Sequence, residues 1–180
     1  ADGHLGIWGP VGTVFPTGDE QRGWNHRLVN GLDTLPKTRQ AEARALLTKI
    51  PYADTRAEAE RLKHGFQAWA TQKGVPAAGR RLEEDWERLV TVYAFPKEHW
   101  KHLRTTNVVE SPFAAVRLRT TAAKRFKKVE HATALIWKTL LVAEQRFRRL
   151  DSPELLPEVA EGVVYVDGVR EQRGNEEAAA

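Results

Sequence analysis

The segment "HLRTTNVVESPFAAVRLRTTAAKRF", residues 102–126, sets one carboxylate, Glu110, inside a dense run of cations. Between Lys97 and Arg149 there are 13 Lys or Arg against four acidic residues, Glu98, Glu110, Glu130 and Glu144. That block carries +9, the whole chain only +4, so the remaining residues sum to −5. A carboxylate among such cations suits a hard ion, because Mg²⁺ takes one or two carboxylates plus phosphate oxygens and the basic neighbours would hold the phosphates. A block this basic suits a phosphate-rich partner, which releases its counterions when neutralised. The plainer alternative is a pair of solvated basic helix faces, and a single Glu does not make a metal site.

Two local readings compete for Glu110. Asn107-x-x-Glu110 has the spacing of a capping box, in which Glu110 reaches back to an orphan N–H. Pro112 would then lie inside the helix, where its ring meets the carbonyl four residues earlier. With Ser111 as cap and Pro112 at the first helical position that clash is avoided. Glu110 then stands just outside the helix, available to a ligand.

The elements that must position this segment are mostly helical. "ADGHLGIWGPVGTVFP" reads as a strand end, a turn at Asp2-Gly3 and a short helix stopped near Pro16. Gln21 to His26 reads as a brief strand running into a helical turn that ends at Pro36, so that the opening forms the edge of an α/β sheet. From Pro36 to Leu103 three amphipathic helices are expected. The first carries Ala43, Leu46, Leu47 and Ile50. The second is capped by Asp54, presents Ala59, Leu62, Phe66 and Trp69, and closes at Gly74. The third presents Leu82, Trp86, Leu89 and Tyr93. Trp69 and Trp86 belong to apolar faces and read as core, whereas Trp100, in "KEHWKHLR", sits among cations and fits that reading less well. Val129, Ala132, Ile136, Leu140, Ala143, Phe147 and Leu150 form a stripe that must bury against something. Arg146, Arg148 and Arg149 are expected in the last turn of that helix, where they favour its dipole. A short strand is expected at Val163 to Val166, and "RGNEEAAA" reads as a disordered end.

Composition narrows the classes. The 180 residues can hold one domain with a core, or a piece of a larger one. No apolar run approaches the roughly 18 residues that span a bilayer. With no cysteine, disulfides and thiolate metal sites are excluded, which fits a reducing cytoplasm. The chain opens Ala1-Asp2-Gly3 and contains no Met, so its start reads as internal to a longer protein.

"HWKHLRTTNVVESPFAAVRLRTT" followed by "LIWKTLLVAEQRFRRL" resembles the C-terminal part of the Mutator-type insertion-sequence transposases. "DGHLGIWGPVGTVFP" and "QRGWNHRLVNGLDTLPK" resemble the same family's segment after its second catalytic Asp. The similarity runs in order from about Ala1 to Val169. It implies an α/β, helix-rich fold: a partial ribonuclease-H-like core over residues 1–35, a helical insertion over 36–103, C-terminal core helices over 104–150, and a partly disordered tail over 151–180. It also implies an Asp-Asp-Glu triad in which Asp2 takes the place of the second Asp and Glu110 that of the Glu. The first Asp has no counterpart here, so this chain alone is expected to be inactive. Asp2 and Glu110 would be metal ligands for two Mg²⁺, or Mn²⁺, and the chemistry phosphoryl transfer on DNA. The family often shows Cys-Trp-x-His after the second Asp, where this chain has Gly23-Trp24-Asn25-His26. The histidine is kept, and His26 is a candidate for supporting the site. Arg104, Thr105, Thr106 and Asn107 before Glu110, then Arg117, Arg119, Lys124 and Arg125 on its helix, are the expected DNA contacts, mostly to phosphates. The partners implied are DNA and, in the complete enzyme, further copies of the chain, in the bacterial cytoplasm at the nucleoid. Two rival readings are a non-catalytic DNA-binding module and a helical protein-interaction remnant.

Overall fold

The computed structural model describes residues 5–105 and 107–172, with the side chains of Leu5, Ile7, Asn107, Val108 and Val109 left aside. The described residues divide into two compact units. One spans residues 1–105 and 151–180, the other Thr106–Leu150.

The first unit is built almost wholly from helices: α1 (Leu5–Val14), α2 (Trp24–Asp33), α3 (Lys37–Leu47), α4 (Arg56–Gln72), α5 (Pro76–Glu84), α6 (Trp86–Val90) and α7 (Trp100–Leu103). Short 3-10 turns at Ile50–Tyr52, Thr91–Ala94 and Lys97–His99 link several of them. The second unit is the helix pair α8 (Asn107–Ala123) and α9 (Val129–Glu144). The chain then returns to the first unit through α10 (Leu156–Ala160) and a hairpin of β1 (Tyr165–Val166) and β2 (Val169–Arg170). This antiparallel pair is the one sheet among the described residues. The helix-rich expectation holds, and a ribonuclease-H-like sheet is not among these residues.

The strand expected at 21–26 is absent. Residues 21–23 belong to no helix or strand, and hydrogen bonds tie Gln21 and Arg22 to the segment around α6 rather than to a ladder. Arg22 N–H donates to Arg88 O at 2.8 Å, Val92 N–H donates to the Gln21 side-chain oxygen at 2.7 Å, and Gln21 Nε2 donates to Leu89 O at 3.2 Å. Trp24 then opens α2, its N–H donating to Arg104 O and its indole N–H to Leu89 O, each at 2.9 Å. Gly23 is therefore the cap of a helix. Burial of Trp24 across α2 and α6 outweighs the strand propensity of so short a run.

Helix α4 shows how local signals and tertiary packing divide the work. Its cap is Thr55, not Asp54: Thr55 Oγ1 accepts Glu58 N–H at 3.1 Å, and the Glu58 carboxylate accepts Asp54 N–H at 3.1 Å. This is a capping box displaced by one residue. A second carboxylate reinforces the same end, since Asp167 Oδ1 accepts Arg56 N–H at 2.7 Å, favourable to the helix dipole. At the far end Gly74, at φ 72°, closes a Schellman motif: Val75 N–H reaches Ala70 O and Gly74 N–H reaches Thr71 O.

The core contains Trp24, Phe66, Trp69, Trp86, Leu89, Tyr93 and Trp100. Trp69 and Trp86 are core as their helical spacing implied, and Trp100 joins them at 2% exposure despite its cationic neighbours. Its ring meets Tyr93 edge-on at 4.9 Å, and its indole N–H donates to Phe95 O at 2.8 Å.

The region after residue 150 folds back. Asp151 pairs with Lys101, and Asp151 N–H donates to His102 Nε2 at 3.1 Å. His99 Nε2 lies 3.1 Å from Ser152 O. The hairpin turn Asp167-Gly168, both at positive φ, is the sequence pair a two-residue hairpin prefers. Gly168 sits so close to Lys97 that an added Cβ would lie 2.7 Å from the Lys97 Cβ. The residues expected to be a disordered end, 173–180, lie outside the described residues.

Candidate functional site

Helix α8 begins at Asn107 and runs unbroken through Pro112 to Ala123. The start at Ser111 is therefore incorrect, and Glu110 lies within the first turn instead of outside it. Pro112 is the sixth residue of α8, past the first turn, so the helix carries it at the loss of one intrahelical bond. Asn107 is itself helical, so it is not the cap of a box with Glu110 either. A carboxylate in the first turn of a 17-residue helix also benefits from the helix dipole. Glu110 is solvent-exposed and makes contacts of its own.

The helical repeat orders the rest of α8. Pro112 and Val116 are buried and Thr120 is half-buried, which defines the inward face. Glu110, Ala114, Arg117 and Thr121 follow one another at spacings of four, three and four, and all are exposed. Glu110 and Arg117 thus share a face two turns apart, about 10 Å along the axis. Lys124 and Arg125 lie just past the helix end rather than on it, and Lys124 has φ 56°; both are exposed.

Between α8 and α9 an open groove of about 860 Å³ is floored by Pro112, Ala115, Leu135 and Val142. Arg119, Lys138, Arg146 and Arg148 edge it. Helix α9 ends at Glu144, so Arg146, Arg148 and Arg149 follow the helix and do not occupy its last turn. Phe147 likewise falls beyond the helix, exposed, and Val129 is exposed at its start. The stripe buries only partly: Ala132, Ile136, Leu140 and Ala143 are half-buried.

The other expected site residues are distributed. His26 is half-buried on α2 and has contacts of its own. Thr105 is half-buried at the end of the first unit. Asp2 and Thr106 lie outside the described residues, as does the Asn107 side chain. Arg104 is half-buried, with its guanidinium carbon 5.1 Å from the Trp100 ring centre and 5.4 Å from that of Tyr52. Burial draws its pKa below the ordinary guanidinium value, partly offset by Tyr93, Tyr52 and Asp54.

Sequence reasoning missed one charged cluster. Asp85, at the α5–α6 junction, pairs with Arg22 and, at 3.1 Å, with Arg27. Arg27 is 9% exposed, and burial lowers its pKa against the opposing pull of Asp85. Nothing in the spacing of residues 22, 27 and 85 marks them as partners, because only the fold brings α2 to that junction.

One carboxylate is not a cation site. Among the described residues no group of three or more His, Cys, Asp or Glu could hold a metal ion. The described part of the expected donor set is Glu110 alone, and it does not by itself fit Mg²⁺. Among the described residues no helix is long and apolar enough to cross a membrane.

Taken together, the molecule is a helical unit joined to a basic helix pair that carries an exposed glutamate in its first turn. Residues 1–149 match the family described as "Transposase, Mutator family", and the chain belongs to that family. It is 38% identical to the transposase for insertion sequence element IST2 of Acidithiobacillus ferrooxidans, over 93% of this chain and 56% of that protein. It is also 38% identical to the transposase for IS6120 of Mycolicibacterium smegmatis, over 93% of this chain and 51% of that one. The transposase for ISRM5 of Rhizobium meliloti is 29% identical over 76% of the chain. The chain thus spans about half the length of the first two of these relatives.

Proposed function

We propose that this chain supplies the glutamate-bearing part of a metal-dependent DNA strand-transfer enzyme. The family match over residues 1–149 carries the reading. The exposed alignment of Glu110 with Arg117 on α8 supports it, since an acidic ligand and a phosphate-binding cation then face the same way. In this reading Glu110 and Asp2 give carboxylates to a divalent-cation centre of Mg²⁺ or Mn²⁺. Bound there, two such ions would activate water or a 3′-hydroxyl and stabilise the leaving oxygen. Arg117, Arg119, Lys124 and Arg125 neutralise phosphates and fix the register of the strand. His26 supports the site from α2, and the working enzyme is an oligomer acting in the bacterial cytoplasm. The 180 residues alone bind DNA without cutting it.

In the complete transposase that contains this sequence, Glu110→Gln is expected to abolish strand transfer while DNA affinity stays nearly unchanged. Undiminished strand transfer in that variant removes Glu110 from the chemistry. For the isolated chain, DNA affinity should fall linearly on a logarithmic salt scale, and a flat response removes the phosphate contacts.

A second reading rests on Leu118, Val129 and Trp137, which are exposed on the helix pair and would suit a protein partner. Association of that kind would be insensitive to salt and lost in Leu140→Asp.

A further inference from the structure

In the first unit the exposed Tyr52 ring stands on a rigid mount. Tyr52 is 72% exposed, yet its neighbours in the chain, Ile50, Pro51 and Ala53, are all buried. The 3-10 turn beneath it is closed by Tyr52 N–H to Lys49 O at 3.1 Å and Ala53 N–H to Ile50 O at 3.2 Å. Buried Tyr93 fixes the same turn, its hydroxyl donating to Ala53 O at 3.1 Å. The ring is therefore held out from a base that cannot fold away to cover it.

What backs the ring is a stack. Trp100, sealed in the core, carries the Arg104 guanidinium at 5.1 Å, and the guanidinium in turn lies 5.4 Å from the Tyr52 ring centre. The Arg104 backbone is fixed on both sides: its carbonyl accepts Trp24 N–H and its N–H donates to Trp100 O, each at 2.9 Å. Among the described residues Arg104 forms no ion pair. Asp54, the carboxylate whose charge acts on it, is engaged by Lys97 at 2.9 Å.

We propose that Tyr52, backed by Arg104, is a stacking platform for an unpaired nucleobase, with the Arg104 guanidinium meeting the adjoining phosphate. A ring–guanidinium–ring stack that ends in solvent is continued by another flat π-face, and every base offers one. A guanidinium without a carboxylate partner at the same place matches the phosphate that each base brings with it. Bases inside a duplex have their faces covered by their neighbours, so the ligand class is single-stranded or locally opened nucleic acid. The inference rests on the DNA-binding reading above and adds to it a place in the helical unit, well before Glu110 in the chain.

The test uses the 180-residue chain with two probes, a short oligothymidine strand and a duplex of equal length, at fixed low salt. Tyr52→Ala is expected to weaken single-strand binding about tenfold, with duplex affinity unchanged and the helical circular-dichroism signal intact because the side chain is exposed. Tyr52→Trp should keep single-strand affinity. A 2-aminopurine base in the strand should be quenched by the parent chain and not by the Tyr52→Ala variant. Equal single-strand affinity in Tyr52→Ala, or an equal loss on both probes, overturns the platform and leaves the wider DNA reading standing. Failure of the parent chain to bind either probe overturns both together.

Discussion

In the first unit Trp24, Phe66, Leu89 and Trp100 are sealed, whereas in the second Pro112 and Val116 are the buried residues among those described, and Val116 keeps 8% exposure. Leu118 and Val129 stand 71% and 77% exposed there. The contrast separates two uses of apolar residues. In the first unit they close over one another, and Arg22 and Arg27 are drawn in beside the Asp85 carboxylate. In the second they form a ribbon that two helices cover incompletely, and two helices burying so little supply little of their own stability. Substitutions should therefore report folding in one unit and surface chemistry in the other.

The comparison breaks most sharply at Trp24. Trp24→Ala should cost about 3–5 kcal/mol, a transfer loss plus a cavity, read as a lowered urea midpoint of the first unit. A small effect would mean that this core is not closed. Asp85→Asn should cost about 3 kcal/mol, because it takes the shared carboxylate from two largely buried guanidinium groups and leaves Arg27 only Glu84 at 3.7 Å. Charge-neutral behaviour in urea titration would show that water reaches Arg22 and Arg27 after all.

Tyr93 tests the same core by pH. Burial pushes its hydroxyl up to about 12, from an ordinary value near 10. The buried ring stays neutral while an unfolded tyrosine ionises, so this contribution to stability is complete below pH 10 and is lost as pH rises toward 12. Tyr93→Phe should lose about 1 kcal/mol at neutral pH with its bond to Ala53 O. It should then regain ground on the parent between pH 10 and 12. Parallel stability curves for the two proteins would contradict a buried Tyr93.

Gly168→Ala should release the hairpin from Lys97, for about 1–2 kcal/mol, since φ there is 80° and the added carbon has no room. Faster amide exchange confined to residues 165–170 is the expected sign. The smallest effect belongs to the second unit: Leu118→Ala should change stability by less than about 0.5 kcal/mol. A larger loss would show that this face is covered in solution and would erase the contrast.

Much of the first unit was legible from spacing alone. Ala59, Phe66 and Trp69 fall on one helical face and are buried together, because a 3.6-residue period needs no knowledge of what lies opposite. Gly74 marked the end of α4 for an equally local reason. Trp100 was harder to read, since its cationic neighbours point outward while its ring points in. The steric cost of Pro112 points to a helix start at Ser111, yet α8 starts at Asn107 and keeps Pro112 inside it, a choice that local propensity does not show. For the candidate site, the type of Glu110 and its basic surroundings were visible in the chain, and its place on the helix was not.

By itself the sequence determined the family, through ordered motifs around Glu110 and Trp24, and the helical character, through short-range apolar periods. Tertiary structure alone decided that residues 21–23 bond to the α6 segment instead of forming a strand, that Asp85 serves two arginines, and that Asp167 caps α4. Each of these joins residues far apart in the chain. Local propensity has no information about such pairs, because they exist only once burial has brought the helices together.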